Sequence, residues 1–256
     1  MMAIVYIFVA ILGLCVGSFL NVLIYRVPNE MSIIKPDSHC PNCKKKLKWW
    51  HNIPVLSWLC LGGRCAYCHT PISPRYIMVE ILNMVLWLGC ALVFWKINIV
   101  LAISMMIGCS ILITIAFIDF EHKYIPDRFQ IALLIVGILC AIFDPVWGWA
   151  SHVIGLFVGG GVLLLFYGLG FLLYKKEALG FGDVKLMAVC GLILGWQSVL
   201  VALFFGAILG AIGCLVMRAI SKDGAGEYAF APYLALGVIL AMFFGADIVA
   251  IYLGLF

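Results

Sequence analysis

The sequence predicts an all-α polytopic membrane protein, with about eight transmembrane helices and a small zinc-ribbon-like loop domain facing the cytoplasm. Three observations carry this. Of 256 residues, 66% are hydrophobic and 11% charged, whereas a soluble domain is roughly half apolar and a quarter charged. The apolar residues gather into runs of about the length that crosses a bilayer. The one long polar stretch, between Arg26 and Tyr76, carries two Cys-x-x-Cys pairs.

The first run, residues 3–25, has no basic residue before it and no small-residue cleavage pattern after it, so it reads as a retained helix. Ser18 and Asn21 near its far end suit bonds to a neighbouring helix. After the loop, helices are expected at about 77–95, 99–118, 129–146, 152–174, 184–196, 198–217 and 229–254. Eight of the 16 Lys and Arg lie from Arg26 to Arg75, so the net charge of +4 is an orientation signal rather than a nucleic-acid footprint. With the N-terminus outside, the basic residues at 26–75, 123, 128, 175, 176, 185, 218 and 222 all fall on the cytoplasmic side, and only Lys96 does not. The sixth helix is short, about 20 Å at roughly 1.5 Å per residue, against a hydrocarbon core of about 30 Å. Glycines at 155, 159, 160 and 161, and at 206, 210 and 213, have the spacing of close helix packing. This gives three expected parts: 1–26, the first helix; 27–76, a metal-binding loop; and 77–256, a seven-helix membrane core.

Cys40 and Cys43, and Cys65 and Cys68, are separated by 21 residues. Two such pairs bring four thiolates to one tetrahedral point, the construction of a zinc ribbon. Two redox pairs or two disulfides are the alternatives, but a Lys-rich loop belongs in the cytoplasm, where disulfides do not persist. A loop of this size has too little apolar surface for a core of its own, so a structural metal supplies stability. His39, His51 and His69 lie nearby, yet four cysteines already complete the shell. The cysteines in apolar runs behave as small hydrophobes.

Only 12 residues are acidic, and two of them end or open membrane-length segments, where a carboxylate is costly and usually functional. Asp119 follows about twenty apolar residues, at a helix C-terminus whose dipole disfavours it. Asp183 opens a helix within Gly180-Phe181-Gly182-Asp183, where capping competes with a role in which the glycines let a peptide approach. Asp127, in Pro126-Asp127-Arg128, reads as a helix cap. Asp119 and Asp183 both fall at cytoplasmic ends and can meet. Two carboxylates in one site do not both ionise easily, so one keeps its proton while the other activates water.

These motifs resemble, in order and over nearly the whole chain, the bacterial type IV prepilin leader peptidases. The resemblance rests on Gly17-Ser18-Phe19-Leu20-Asn21-Val22 with Tyr25-Arg26; the two Cys pairs; Asn52-Ile53-Pro54 with Ser57; and Ile72-Ser73 with Arg75-Tyr76 and Glu80. It continues through Asp119 with Ile125-Pro126-Asp127, and Glu177 to Leu186. It implies an intramembrane aspartyl protease in the bacterial inner membrane that cleaves a short basic leader after glycine from prepilins or pseudopilins, at the cytoplasmic face. It also implies N-methylation of the new terminus, commonly phenylalanine, by S-adenosylmethionine. Asp119 and Asp183 take the catalytic positions, and Cys40, Cys43, Cys65 and Cys68 the zinc positions. The chain departs from the family at Ile77 and at Ala229-Phe230-Ala231-Pro232, where proline after Arg-Tyr and Pro-Phe-Gly-Pro are common.

The methyltransferase half rests on resemblance alone, since no glycine-rich strand-to-helix fingerprint is present. An ion-coupled transporter is the rival reading of intramembrane aspartates, but it predicts inverted repeats and midplane carboxylates, against two dissimilar halves here. A zinc loop that docks partners on a membrane anchor leaves Asp119 unexplained.

Overall fold

A computed structural model describes residues 2–175, 179–220 and 228–254. Expectations that fall on Lys176, Glu177, Lys222 and Glu227 lie outside these residues. The chain forms two compact units, residues 1–92 and 93–256. Among the described residues every long element is a helix, and the pairing that resembles strand is confined to isolated bridges in the polar loop. Among the described residues six helices are long and apolar enough to cross a membrane, and the protein is a multi-pass membrane protein.

In the first unit, α1 (Met2–Arg26) and α3 (Arg75–Phe94) run antiparallel in a register fixed by small and amide residues. The Asn83 amide donates to the Gly13 carbonyl at 2.8 Å, and the Asn21 amide donates to the Tyr76 carbonyl at 3.0 Å. Between these levels a Cβ on Gly17 would come within 2.7 Å of the Glu80 Cα. Two four-residue steps up α1 are thus matched by steps of three and then four residues down α3, as faces of period 3.6 require. The loop between them contains a single 3-10 turn, Trp49–Asn52, and the short α2 (Leu56–Cys60).

The second unit contains α4 (Ile99–His122), α5 (Asp127–Phe143), α6 (Gly148–Tyr174), α7 (Phe181–Leu194), α8 (Trp196–Ile220) and α9 (Ala231–Gly254). α4 starts at a true cap: the Asn98 side chain accepts from the amides of Val100 and Leu101. α5 ends at Phe143 rather than 146 because Asp144 precedes Pro145, and a residue before proline is driven to extended geometry, here φ −80° and ψ 112°. α7, with 14 residues, spans about 21 Å at roughly 1.5 Å per residue and is the short helix the sequence predicts. It packs against α5, α6, α8 and α9. Its seam with α6 has backbone against backbone: a Cβ on Gly155 would overlap the Gly191 carbonyl, and one on Gly159 the Met187 carbonyl. Gly161 faces open space and has no such role.

Candidate metal centre and carboxylate pair

The two Cys pairs fold into knuckles that repeat each other at an offset of 25 residues. The Lys44 amide donates to Cys40 O at 2.9 Å and the His69 amide to Cys65 O at 3.0 Å; the Cys40 amide donates to Lys45 O and the Cys65 amide to Thr70 O. Lys44 and His69 both adopt positive φ, 58° and 57°, the left-handed turn that bends each chain back. His39 bridges Lys46 as Arg64 bridges Pro71. Together the knuckles bring the sulfurs of Cys40, Cys43, Cys65 and Cys68 within 4.8 Å of one another.

This geometry fits a metal. A Zn–S bond of about 2.3 Å puts tetrahedral sulfurs roughly 3.8 Å apart, and the Cys40 and Cys68 sulfurs are separated by 3.8 Å. Without a cation the four cannot all ionise. The Thr70 hydroxyl and amide beside Cys68 hold its thiol down to about 5. The Lys45 amide favours the Cys43 thiolate, but desolvation and the neighbouring Cys40 and Cys68 sulfurs outweigh it and push Cys43 up to about 11. The histidines stay out of the cluster: His39 bonds the Asp37 carbonyl at 2.9 Å, and His51 stacks edge-on against Tyr67.

In the second unit, Asp119 occupies the last turn of α4, which continues to His122, past the expected end at 118. Its carboxylate is buried, and Oδ2 accepts from the backbone N–H of Ala231 at 3.2 Å. Ala231 is the first residue of α9, so the unfavourable end of its own helix is offset by the positive end of another. Asp183 is buried in the first turn of α7, its carboxylate facing the amide of Gly180 three residues back, the return contact of a capping box. Asp119 and Asp183 are close enough to interact electrostatically.

The loop before α5 supports this pair. A Cβ on Gly182 would lie in ordinary contact with Ile125 at 3.4 Å, and the Gln130 amide donates to the Gly182 carbonyl at 3.3 Å. Asp127 is the first residue of α5, after Pro126 at the cap position, and its exposed carboxylate pairs with Lys185 at 2.9 Å. It therefore ties α5 to α7 and does not act as the cap expected from sequence.

Residues 11–95, which hold all four cysteines, match the bacterial Peptidase A24 N-terminal domain, and residues 106–215, which hold both aspartates, match the type IV leader peptidase family. A prepilin leader peptidase/N-methyltransferase of Legionella pneumophila is 33% identical over 97% of this chain and 94% of its own length. The chain belongs to the type IV leader peptidase family.

Proteins of the same description from Neisseria gonorrhoeae and Myxococcus xanthus (strain DK1622) are 34% and 39% identical. The first alignment covers 89% of this chain and 86% of the relative; the second covers 85% and 65%. No solved structure matches. Membership makes the protein a membrane peptidase rather than a transporter. Three features of the structure go beyond the roles read from the sequence. Ala231 as the donor to Asp119 is a backbone group, invisible in sequence. Glu80 is a buried acid inside an apolar span, a signal that was available. His152 is fully buried in α6, donating from Nδ1 to Leu192 O at 2.9 Å with Nε2 3.3 Å from Asp144.

Proposed function

We propose that this protein is an aspartyl endopeptidase of the bacterial inner membrane, with Asp119 and Asp183 as its catalytic pair. It removes a short basic leader after glycine from type IV prepilins or pseudopilins, at the cytoplasmic face. The observation that carries this reading is a pair of buried carboxylates within electrostatic reach of each other, each at the positive end of a helix. There, one carboxylate activates a water while the other, protonated, polarises the scissile carbonyl. Their apparent pKa values belong to the pair. The helix ends stabilise negative charge as it develops, without reorganising at the moment of reaction.

Cys40, Cys43, Cys65 and Cys68 hold a structural zinc, which closes a loop too small to fold by burial alone. The positions of the basic residues favour an N-terminus outside, with the zinc loop and catalytic pair inside. The description of the relatives as N-methyltransferases supports a second activity, N-methylation of the terminus that cleavage exposes, for which S-adenosylmethionine supplies an electrophilic methyl group. Mass spectrometry of a prepilin co-expressed with this protein tests the whole reading, because leader loss and added methyl mass are separate signals. A precursor that keeps its leader overturns the peptidase reading, and a cleaved product without methyl mass overturns the second activity.

A further inference from the structure

In the first unit, three of the residues around the α1–α3 contact are arranged unlike ordinary packing. Glu80 is the one buried acid among the described residues of that unit, 7% exposed, and its Oε2 accepts the backbone N–H of Val55 at 2.7 Å. Ser18 supplies a further hydrogen bond to the same carboxylate. Both partners are neutral, so neither supplies a compensating charge. Val55 itself has φ 61° and ψ −53°, a backbone that a β-branched residue adopts only when its surroundings impose it, and such strain gathers at ligand clamps.

One turn along, Asn21 is 2% exposed. Its amide nitrogen is engaged by the carbonyls of Tyr76 and Gly17, at 3.0 and 3.4 Å. Both are acceptors, so the amide cannot be flipped to relieve its oxygen, and Oδ1 is left buried without a partner. A carboxylate and an unsatisfied carbonyl on adjacent turns of one helix contact lack N–H donors with positive charge. A primary ammonium has both.

We propose that Glu80 and Asn21 receive the freed α-amino group of the processed chain, and that Glu80 is the base that deprotonates it for methyl transfer. This rests on the methylation reading above. An ammonium bound here loses a proton to the Glu80 carboxylate: its N–H bond breaks and a carboxyl O–H forms. The neutral amine then uses its lone pair to form an N–C bond to the methyl of a methylsulfonium donor. The C–S bond breaks with its electrons returning to sulfur, leaving a neutral thioether and a secondary methylammonium. Glu80 returns its proton to water. The Val55 amide holds one carboxylate oxygen in place, so the geometry of the base follows from the loop as well as from the helix.

The test uses the full chain in detergent and a synthetic peptide that already begins with the mature phenylalanine, so that cleavage is not required. With S-adenosylmethionine at neutral pH, Glu80→Gln should methylate the peptide slower by on the order of a hundredfold, with bound zinc and elution profile confirming its fold. Gln still accepts the Val55 N–H, so a merely structural Glu80 predicts no loss. Because an α-amine has a pKa of about 8, raising the pH to about 9.5 should restore the variant toward wild type. Without any methyl donor, the wild-type protein should bind the peptide more tightly than its N-acetylated twin. Full activity of Glu80→Gln at neutral pH, failure of alkali to restore it, or equal binding of the two peptides overturns the proposal. A wild-type protein that never methylates the peptide overturns instead the reading on which it rests.

Discussion

Asp119 Oδ2 accepts a hydrogen bond from the Ala231 N–H at 3.2 Å, so a carboxylate on α4 is held by the first amide of α9. A hydrogen bond to a charged group is worth roughly 1.5–3 kcal/mol. Ala231→Pro deletes the donor at a position where proline suits a helix start, and should slow leader removal by about tenfold or more, in line with that energy. Ala231→Gly keeps the N–H and should cleave at close to the wild-type rate. Initial rates of leader removal decide the matter, and equal rates for the two variants would show that the bond is idle.

Asn retains the size and hydrogen-bonding oxygen of Asp but cannot share a proton or activate water. Asp119→Asn and Asp183→Asn should each abolish cleavage in a folded protein, and the double variant should be scarcely worse than either, because the two groups act as one unit. Asp127→Asn should be mild: its pair with Lys185 is largely exposed, and exposed pairs contribute about 0–1 kcal/mol. Substantial cleavage by either single catalytic variant would sink the dyad.

Much of this architecture is legible in the sequence because bilayer length, charge placement and Cys-x-x-Cys spacing are local signals. The short α7 and the four-sulfur cluster follow from such signals alone. What escapes depends on neighbours distant in the chain. Asp119 looks misplaced at a helix C-terminus until α9 is seen to present its amides to it. Asp127 looks like a cap until Lys185, 58 residues away, appears beside it. The end of α5 at Phe143 was readable from Asp144-Pro145, but an apolar run through Val146 hides it.

The four thiols predict one metal per chain by elemental analysis. Cys43→Ser should lower bound zinc and reduce the melting temperature, because the loop lacks a core to compensate. A strong chelator should do the same to the unmodified protein. Protein purified without chelator and free of metal would refute the site.

Asp144 lies in the turn between α5 and α6. Burial opposes its ionisation, but the His152 ring 3.3 Å away and the hydrogen bond from the Val146 amide prevail and hold its carboxyl below the ordinary value of 3.8. A carboxyl depressed by folding adds stability above its unfolded pKa, and that stability fades as pH falls toward the folded value. Asp144→Asn should therefore lower the melting temperature at pH 6, and the gap from wild type should close in the range below about pH 4. Thermal melts in detergent across pH would show it; a gap that persists in strong acid would mean that shape, not charge, accounts for the loss.

The last prediction concerns how α7 is placed. A Cβ on Gly191 would overlap the backbone of Gly155, and one on Gly155 the carbonyl of Gly191, with no flexible side chain to yield. Backbone against backbone cannot relax locally, so either Gly→Ala change must push α7 away from α6 along its whole 14 residues. Asp183 is carried on the same helix and should move with it. Gly191→Ala should thus cost cleavage as well as stability, the latter at the upper end of roughly 1–3 kcal/mol for overpacking. Gly161→Ala, on the same α6 but facing open space, should be neutral or stabilising by up to about 1 kcal/mol from helix propensity. If Gly191→Ala melts early yet cleaves at the normal rate when folded, the α6–α7 seam supports the fold without setting the position of Asp183.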